Sequence, residues 1–245
     1  MKVKKMTERI AKFMARSGVC SRREAEELIK QKRVTVNGET VETPAFNVEG
    51  DEKILLDGEK LPQMQLTRVW LYHKPTGFIT THKDTQNRAT VFDNLPAGMP
   101  RVISVGRLDL NSEGLLLLTN DGELARTLEL PQNGWSRRYK VRVYGKVSKS
   151  KLAELEKGVE IEGVRYGAVK VELESQNGAN SWLQVTLNEG KNREIRKLMK
   201  YIGLEVARLI RLSYGPFQLG SLKKGEVKEV PQKVLKEQLG DKFKL

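Results

Sequence analysis

The chain has 245 residues, 38% hydrophobic and 31% charged, with a net charge of +13; that length allows a sizeable core, and that excess predicts a polyanion partner, nucleic acid first. One cysteine, Cys20, excludes an internal disulfide and a cysteine-based zinc site, and two histidines, His73 and His82, leave little for a metal centre. No apolar run reaches the roughly 18 residues of a membrane span, and the charged MKVKKM start lacks an apolar signal segment, so a cytoplasmic, metal-free protein is expected.

Taken in order, Thr7 can cap a helix over residues 8–17, with Ile10, Phe13 and Met14 on one face and Gly18 as the stop. Ser21, Arg22, Arg23 and Glu24 form a capping-box pattern for a second helix with Ala25, Leu28 and Ile29 inward. Residues 34–36, Asn37-Gly38 and Thr40-Val41 read as a hairpin with a primed turn. Residues 1–38 carry a net charge of +7 and residues 39–66 one of −5. Arg16, Arg22, Arg23, Lys32 and Arg33 are therefore candidates for gripping phosphates, with a solvated basic face as the alternative. Residues 54–56 read as a short strand and residues 63–67 as the linker, which divides the chain into domains 1–66 and 67–245.

Residues 70–72 open the second domain as a strand, residues 78–81 read as extended, and His82 begins a polar surface loop. The most informative stretch is VISVGRLDLNSEGLLLLTNDG, residues 102–122. Two apolar runs, 102–105 and 115–118, have the length of buried strands. The polar loop between them holds Arg107 and Asp109 and lies between Gly106 and Gly114. An acid at the end of a buried strand, on a loop held from both sides, is a rigid platform for chemistry; as a residue type alone, Asp109 favours a turn or cap over a catalytic role. A helix is expected over 123–128, capped by Asp121. Residues 138–143 alternate, with Tyr139, Val141 and Val143 on one face and Arg138, Lys140 and Arg142 on the other. A short helix over 148–157, a hairpin over 159–166, strands over 168–174 and 182–187, and a helix over 192–202 follow. That last helix carries Arg193, Arg196, Lys197 and Lys200 as a basic stripe beside its apolar face. Strands over 206–212 and 228–230 and a final helix over 232–239 complete a domain without simple strand–helix alternation, hence α+β.

The segment RIAKFMARSGVCSRREAEELIKQKRVTVNGETV resembles an S4 domain, which implies binding of structured RNA through two helices and a hairpin. The second domain resembles the pseudouridine synthases typified by the bacterial ribosomal small-subunit enzyme. The resemblance rests on Gly106-Arg107-Leu108-Asp109, on SEGLLLLTNDG after it, on Lys74-Pro75 with Gly77, on Arg138-Tyr139 and on EGKNREIR ending at Arg196. Within the group, Asn111-Ser112-Glu113 and RLIRLSYGPFQL most resemble the B-type synthases of large-subunit rRNA. The resemblance implies a mixed, mainly antiparallel sheet, conversion of a specific uridine in rRNA by base flipping, no cofactor, no metal, and a monomer.

It also implies roles. Asp109 matches the catalytic carboxylate, as nucleophile or as base. Tyr139 matches the tyrosine that packs on uracil, and Arg196 the basic residue paired with the carboxylate. Arg107 matches a residue that fills the place of the flipped base. Arg137, Arg138, Lys140, Lys191, Arg193 and Lys197 would hold phosphates, and Lys74 would contribute near the pocket. Other branches often have histidine at the position of Arg193 and glutamine at that of Glu194. A non-catalytic assembly factor on the same scaffold, or a synthase acting on small-subunit rRNA or tRNA, are the alternatives.

Overall fold

The structure is a computed structural model and describes residues 7–240. The charged MKVKKM start lies outside the described residues. The chain forms two compact units. The first holds the described residues up to Thr67, together with Pro100–Val102 and Asn120–Gly122; the second holds the rest.

In the first unit, helix α1 (Ile10–Arg16) and helix α2 (Arg22–Lys30) pack their apolar faces over a small sheet. The capping box at α2 is complete: Ser21 N–H donates to Glu24 Oε2 at 2.8 Å, and Glu24 N–H donates to Ser21 Oγ at 3.1 Å. Such a cap is worth about 1 kcal/mol. Thr7 is not the cap of α1. Glu8–Arg9 instead pairs as a two-residue strand with Asn47–Val48, and Arg9 stands at the N-cap in extended conformation without a side-chain bond. The sheet runs β2–β1–β3–β4, from β1 (Val34–Val36), β2 (Glu39–Thr40), β3 (Ile54–Leu56) and β4 (Glu59–Lys60). Asn37 and Gly38 both have positive φ at the expected hairpin turn. Ile10, Met14, Ala25, Ile29 and Val34 are fully buried, and Cys20 joins them as a small core residue.

The second unit is built on a nine-stranded sheet. Its strands are β5 (Val69–Lys74), β6 (Ile103–Val105), β7 (Glu113–Thr119), β8 (Arg137–Tyr144), β9 (Lys170–Asn177), β10 (Asn180–Leu187), β11 (Glu205–Tyr214), β12 (Phe217–Gln218) and β13 (Val227–Glu229). The order is β9–β10–β8–β11–β7–β5–β13, with β6 against β7 and β12 against β11. Only β11 and β7 run parallel, so the sheet is mixed and mainly antiparallel. Helices α3 (Gly122–Glu129), α4 (Lys149–Leu155), α5 (Glu194–Tyr201) and α6 (Gln232–Leu239) accompany it. The 78–81 stretch forms no strand; Ile79 makes one isolated bridge to Thr90. Among the described residues no helix is long and apolar enough to cross a membrane.

Strand β7 is the centre of this sheet. All seven of its residues are buried, with Leu115 to Leu118 at 0% exposure. Each such leucine contributes about 2 kcal/mol. Where β7 meets β11, Gly114 lies so close to Arg211 that an added Cβ would stand 2.3 Å from its carbonyl oxygen and 2.6 Å from its nitrogen. Gly114 also has φ +107°, a conformation that side chains resist. We expect Gly114→Ala to cost more than about 3 kcal/mol in urea unfolding, because neither the backbone of β11 nor the dihedral can yield cheaply. Near wild-type stability would contradict this packing.

Candidate active site

The loop of residues 106–112 joins β6 to β7, and its backbone is held at every carbonyl from 108 to 112. Leu108 O accepts from Thr80 Oγ1 at 2.9 Å, and Leu110 O accepts from Gly77 N–H at 2.9 Å. Asp109 O accepts from Lys74 Nζ at 3.1 Å and from Ser112 N–H at 3.0 Å. Asn111 O accepts from Arg196 Nη2 at 2.9 Å, and Ser112 O from Lys74 Nζ at 2.9 Å. At the front of the loop Gly106, with φ +66°, donates its N–H to Glu129 Oε1 at 2.7 Å. Five carbonyls satisfied from residues 74–80, from Arg196 and from within the loop leave it little freedom.

Lys74 is the innermost of these donors. It ends β5, on the same side as Trp70 and Tyr72, and is 0% exposed. Its three N–H groups are all used, the third by Pro75 O at 3.0 Å. Burial pulls its pKa down to about 8, and Arg211's charge acts the same way; the Asp109 and Glu113 carboxylates oppose them. Lys74 therefore does not stand in the pocket as a phosphate ligand. It lies beneath the Asp109 loop and fastens it from below.

Above the loop opens a cleft of about 1020 Å³. Asp109, Tyr139, Arg196, Arg107, Lys191 and Arg193 all line it, brought from three distant parts of the chain. Tyr139 reaches it because β8 alternates as expected: Arg137, Tyr139, Val141 and Val143 are buried, while Arg138, Lys140 and Arg142 take the other face. Arg138 accordingly does not line the cleft; it donates to Gln218 Oε1 at 2.9 Å. Lys197, one helical position past Arg196, does not line it either. Arg137 is a lining residue, but its guanidinium is committed to Asn188 O at 3.0 Å and Tyr214 Oη at 2.7 Å, so it is structural rather than a free phosphate ligand.

Arg196 departs from expectation in its contacts. No ion pair within 4.0 Å joins it to Asp109 among the described residues; its Nη2 and Nη1 donate to Asn111 O and to Val206 O at 3.2 Å. Burial and then the neighbouring Arg193 charge lower its pKa, and the Asp109 charge opposes them from a distance. The arginine thus acts on the aspartate through the loop backbone and at longer range.

The start of helix α5 supplies the expected Arg193 and, beside it, an acidic group, Glu194, that was given no role in the sequence. Arg193 stands at its N-cap with φ 51°, which turns the chain into the cleft. Glu194 follows, 3% exposed, and accepts from Lys191 N–H at 2.8 Å. Burial first, and then the neighbouring Glu189, push the Glu194 carboxyl up to about 7. Glu189 itself holds Gly167 N–H at 2.8 Å and the Lys191 ammonium. Arg211 and Tyr214, from the end of β11, complete the cleft wall. The signal for Arg211 in the sequence was its sharing the parity of Leu209; Tyr214 lies on the other parity and gave none.

In the first unit the basic candidates divide. Arg22 and Arg23 are exposed at the start of α2. Arg16 pairs with Glu8 at 2.7 Å, Lys32 with Glu42 at 2.6 Å and Arg33 with Asp57 at 2.5 Å. Among the described residues no group of three His, Cys, Asp or Glu residues could hold a metal ion.

This cleft and fold have known counterparts. The family model of RNA pseudouridylate synthases matches residues 68–201, and the S4 domain model matches residues 8–54. An uncharacterised RNA pseudouridine synthase of Rickettsia felis is 51% identical over 93% of this chain and 99% of its own length. The ribosomal large subunit pseudouridine synthase B of Salmonella typhimurium is 43% identical over 87% of this chain and 76% of its own. A crystal structure of a pseudouridylate synthase superposes with TM-score 0.66 at 26% identity, covering 94% of this chain and 99% of that one. The chain belongs to the RNA pseudouridine synthase family of isomerases and carries an S4 RNA-binding domain ahead of the synthase domain.

The interacting acids Glu189 and Glu194 set a pH dependence. Glu194 has a folded pKa above its unfolded value near 4.5, so the folded chain binds the extra proton and stability falls as pH rises from there through about 7. Glu194→Gln removes that loss. Its melting temperature is expected to gain on wild type as pH goes from about 5 to about 8; a difference constant across that range would contradict the buried, protonated carboxyl.

Proposed function

We propose that the protein converts one specific uridine of large-subunit rRNA to pseudouridine, with Asp109 as the catalytic carboxylate. The observation that carries this reading is the placement of Asp109 on a loop fixed at five consecutive carbonyls, at the mouth of a cleft that also holds Tyr139 and Arg196. The likeness to the Salmonella large-subunit enzyme supports the choice of rRNA. The target base leaves its stack and enters the cleft, where Tyr139 packs on the uracil ring and exposed Arg107 fills the place it left. Lys191 and Arg193 hold the backbone at the rim, and Arg196 keeps Asp109 in place through Asn111 O. The N1–C1′ bond breaks, the uracil turns, and C5 joins C1′, with Asp109 acting on the sugar or base. As an isomerisation this needs neither an electron carrier nor a group donor.

In this reading residues 1–66 form the module that grips structured RNA and residues 67–245 the catalytic domain, working as a cytoplasmic monomer. Arg22 and Arg23 offer open charges to phosphates, and Arg16, Lys32 and Arg33 exchange surface carboxylates for phosphates on binding.

The test is a pseudouridine map of rRNA from cells lacking the protein, rescued with wild type or with Asp109→Asn. One large-subunit position is expected to lose its mark, regain it with wild type and stay unmodified with Asp109→Asn, while RNA affinity changes less than about threefold. An unchanged map would contradict rRNA as substrate, and a restored mark with Asp109→Asn would remove the aspartate from catalysis.

A further inference from the structure

At the floor of the cleft two guanidiniums flank one buried ring. Arg137 lies 4.6 Å and Arg211 5.3 Å from the centroid of Tyr214, whose hydroxyl donates to Leu128 O at 2.8 Å. Arg137 has partners at both terminal nitrogens, as described above. Arg211 does not. It is 2% exposed, its Nε donates to Leu115 O at 2.7 Å, and among the described residues neither terminal nitrogen has a protein partner; Nη2 is wholly buried. No carboxylate pairs with it within 4.0 Å among the described residues. A buried guanidinium without a counter-charge is costly, and an apolar side chain at this point of β11 would stabilise the fold more.

The neighbourhood adds to the cost. Lys74, a second buried cation, feels the charge of Arg211. Two buried positive charges beneath one carboxylate-bearing loop make the cleft floor electropositive without neutralising it.

The reaction proposed above creates a charge that needs such a floor. When N1–C1′ breaks, the bonding electron pair stays with the base, which becomes a uracil anion with its charge shared among N1, O2 and O4. That anion has to be held in the cleft while it turns, and Asp109, esterified to C1′ or protonated at that moment, does not hold it. When C5 attacks C1′ the pair returns to a bond; C5 then loses its proton and N1 gains one. As nucleophile, Asp109 bonds to C1′ as N1 leaves and is released when C5 attacks. As base, it takes the C2′ proton as N1 leaves and returns it as C5 bonds to C1′. In either case the electron pair of the broken bond rests on the uracil in between.

We propose that Arg211 is the group that holds the detached base: its unpartnered guanidinium receives a uracil carbonyl oxygen and stabilises the anion between cleavage and rejoining. A planar, always-charged fork that is already desolvated suits a delocalised planar anion, and it costs no reorganisation at the moment of cleavage. Arg137 and Tyr214 act on it as positioning residues, by holding the wall against which its guanidinium lies. This assignment rests on the pseudouridine reading of the same cleft.

The experiment measures single-turnover conversion of a target rRNA fragment by the full chain as wild type, Arg211→Met and Arg211→Lys. The fragment carries either uridine or 5-fluorouridine at the target position, and loss of the N-glycoside is read by mass spectrometry. Fluorine withdraws electrons and stabilises the base anion by itself, so a residue that stabilises the anion matters less when fluorine is present. Arg211→Met is expected to bind the fragment within about threefold of wild type and to cleave the uridine glycoside more than about a hundredfold slower. With 5-fluorouridine its defect is expected to shrink at least about tenfold, and Arg211→Lys to fall between wild type and Arg211→Met. Cleavage by Arg211→Met within about threefold of wild type would overturn the assignment, as would equal defects on the two substrates, the mark of a merely structural role. Should Arg211→Met fail to fold, the same comparison of substrates in Arg211→Lys decides. Wild-type conversion in the same assay separates failure of this assignment from failure of the pseudouridine reading.

Discussion

The synthase domain depends on one buried ammonium. Lys74 gives its three hydrogens to the carbonyls of Pro75, Asp109 and Ser112, and thereby ties the end of β5 to both sides of the Asp109 loop. A lysine at 0% exposure is a costly choice for a core, since desolvation alone disfavours its charge. What it returns is position. The carbonyls of Asp109 and Ser112 point inward because a cation waits for them there, and the Asp109 side chain is left facing the cleft. Gly77, Thr80 and Arg196 hold the carbonyls that Lys74 does not reach. Gly114 lets β11 approach closely enough to bring Arg211 under the same loop.

Charge in this molecule is divided between committed and open groups. In the synthase domain Lys74, Arg137 and Arg196 spend their donors mostly on backbone carbonyls or a tyrosine hydroxyl, and so serve geometry. Glu113, 2% exposed, is neutralised by Arg208 and by Lys224 at 2.6 Å. In the S4 unit the acidic residues 39–66 answer the basic turn after α2: Lys32 meets Glu42 and Arg33 meets Asp57. Exposed pairs of this kind are worth at most about 1 kcal/mol, so a phosphate can displace the carboxylate at little cost. The net charge of +13 thus overstates the charge that is open for binding and understates what becomes open on contact with RNA.

Much of this was legible in the chain itself. The leucine run of β7, the alternation of β8, the capping box at Ser21 and the primed turn at Asn37-Gly38 are local patterns, and each formed where its period or turn chemistry put it. The motif residues Asp109, Tyr139, Arg196 and Arg107 could be picked out, and they do meet in one cleft. What escaped the sequence was non-local. The Glu8–Arg9 strand exists because of its partner Asn47–Val48, distant in sequence, about which a helix-capping pattern says nothing. Arg196 was expected on a carboxylate, whereas the fold offered it carbonyls of two other segments. Lys74 shares its parity with Trp70 and Tyr72, which placed it inward; the preference of lysine for solvent masked that reading. Arg211 carried the same signal, a charge on the buried parity of a strand, and the same preference hid it.

Lys74 sets the Asp109 loop from beneath, and Lys74→Met probes that dependence. Methionine fills the same space and removes the three hydrogen bonds. The variant is expected to fold, to bind target RNA within about threefold of wild type, and to lose more than about tenfold in kcat with amide exchange raised across residues 106–112. A folded Lys74→Met protein with wild-type kcat and an equally protected loop would contradict it.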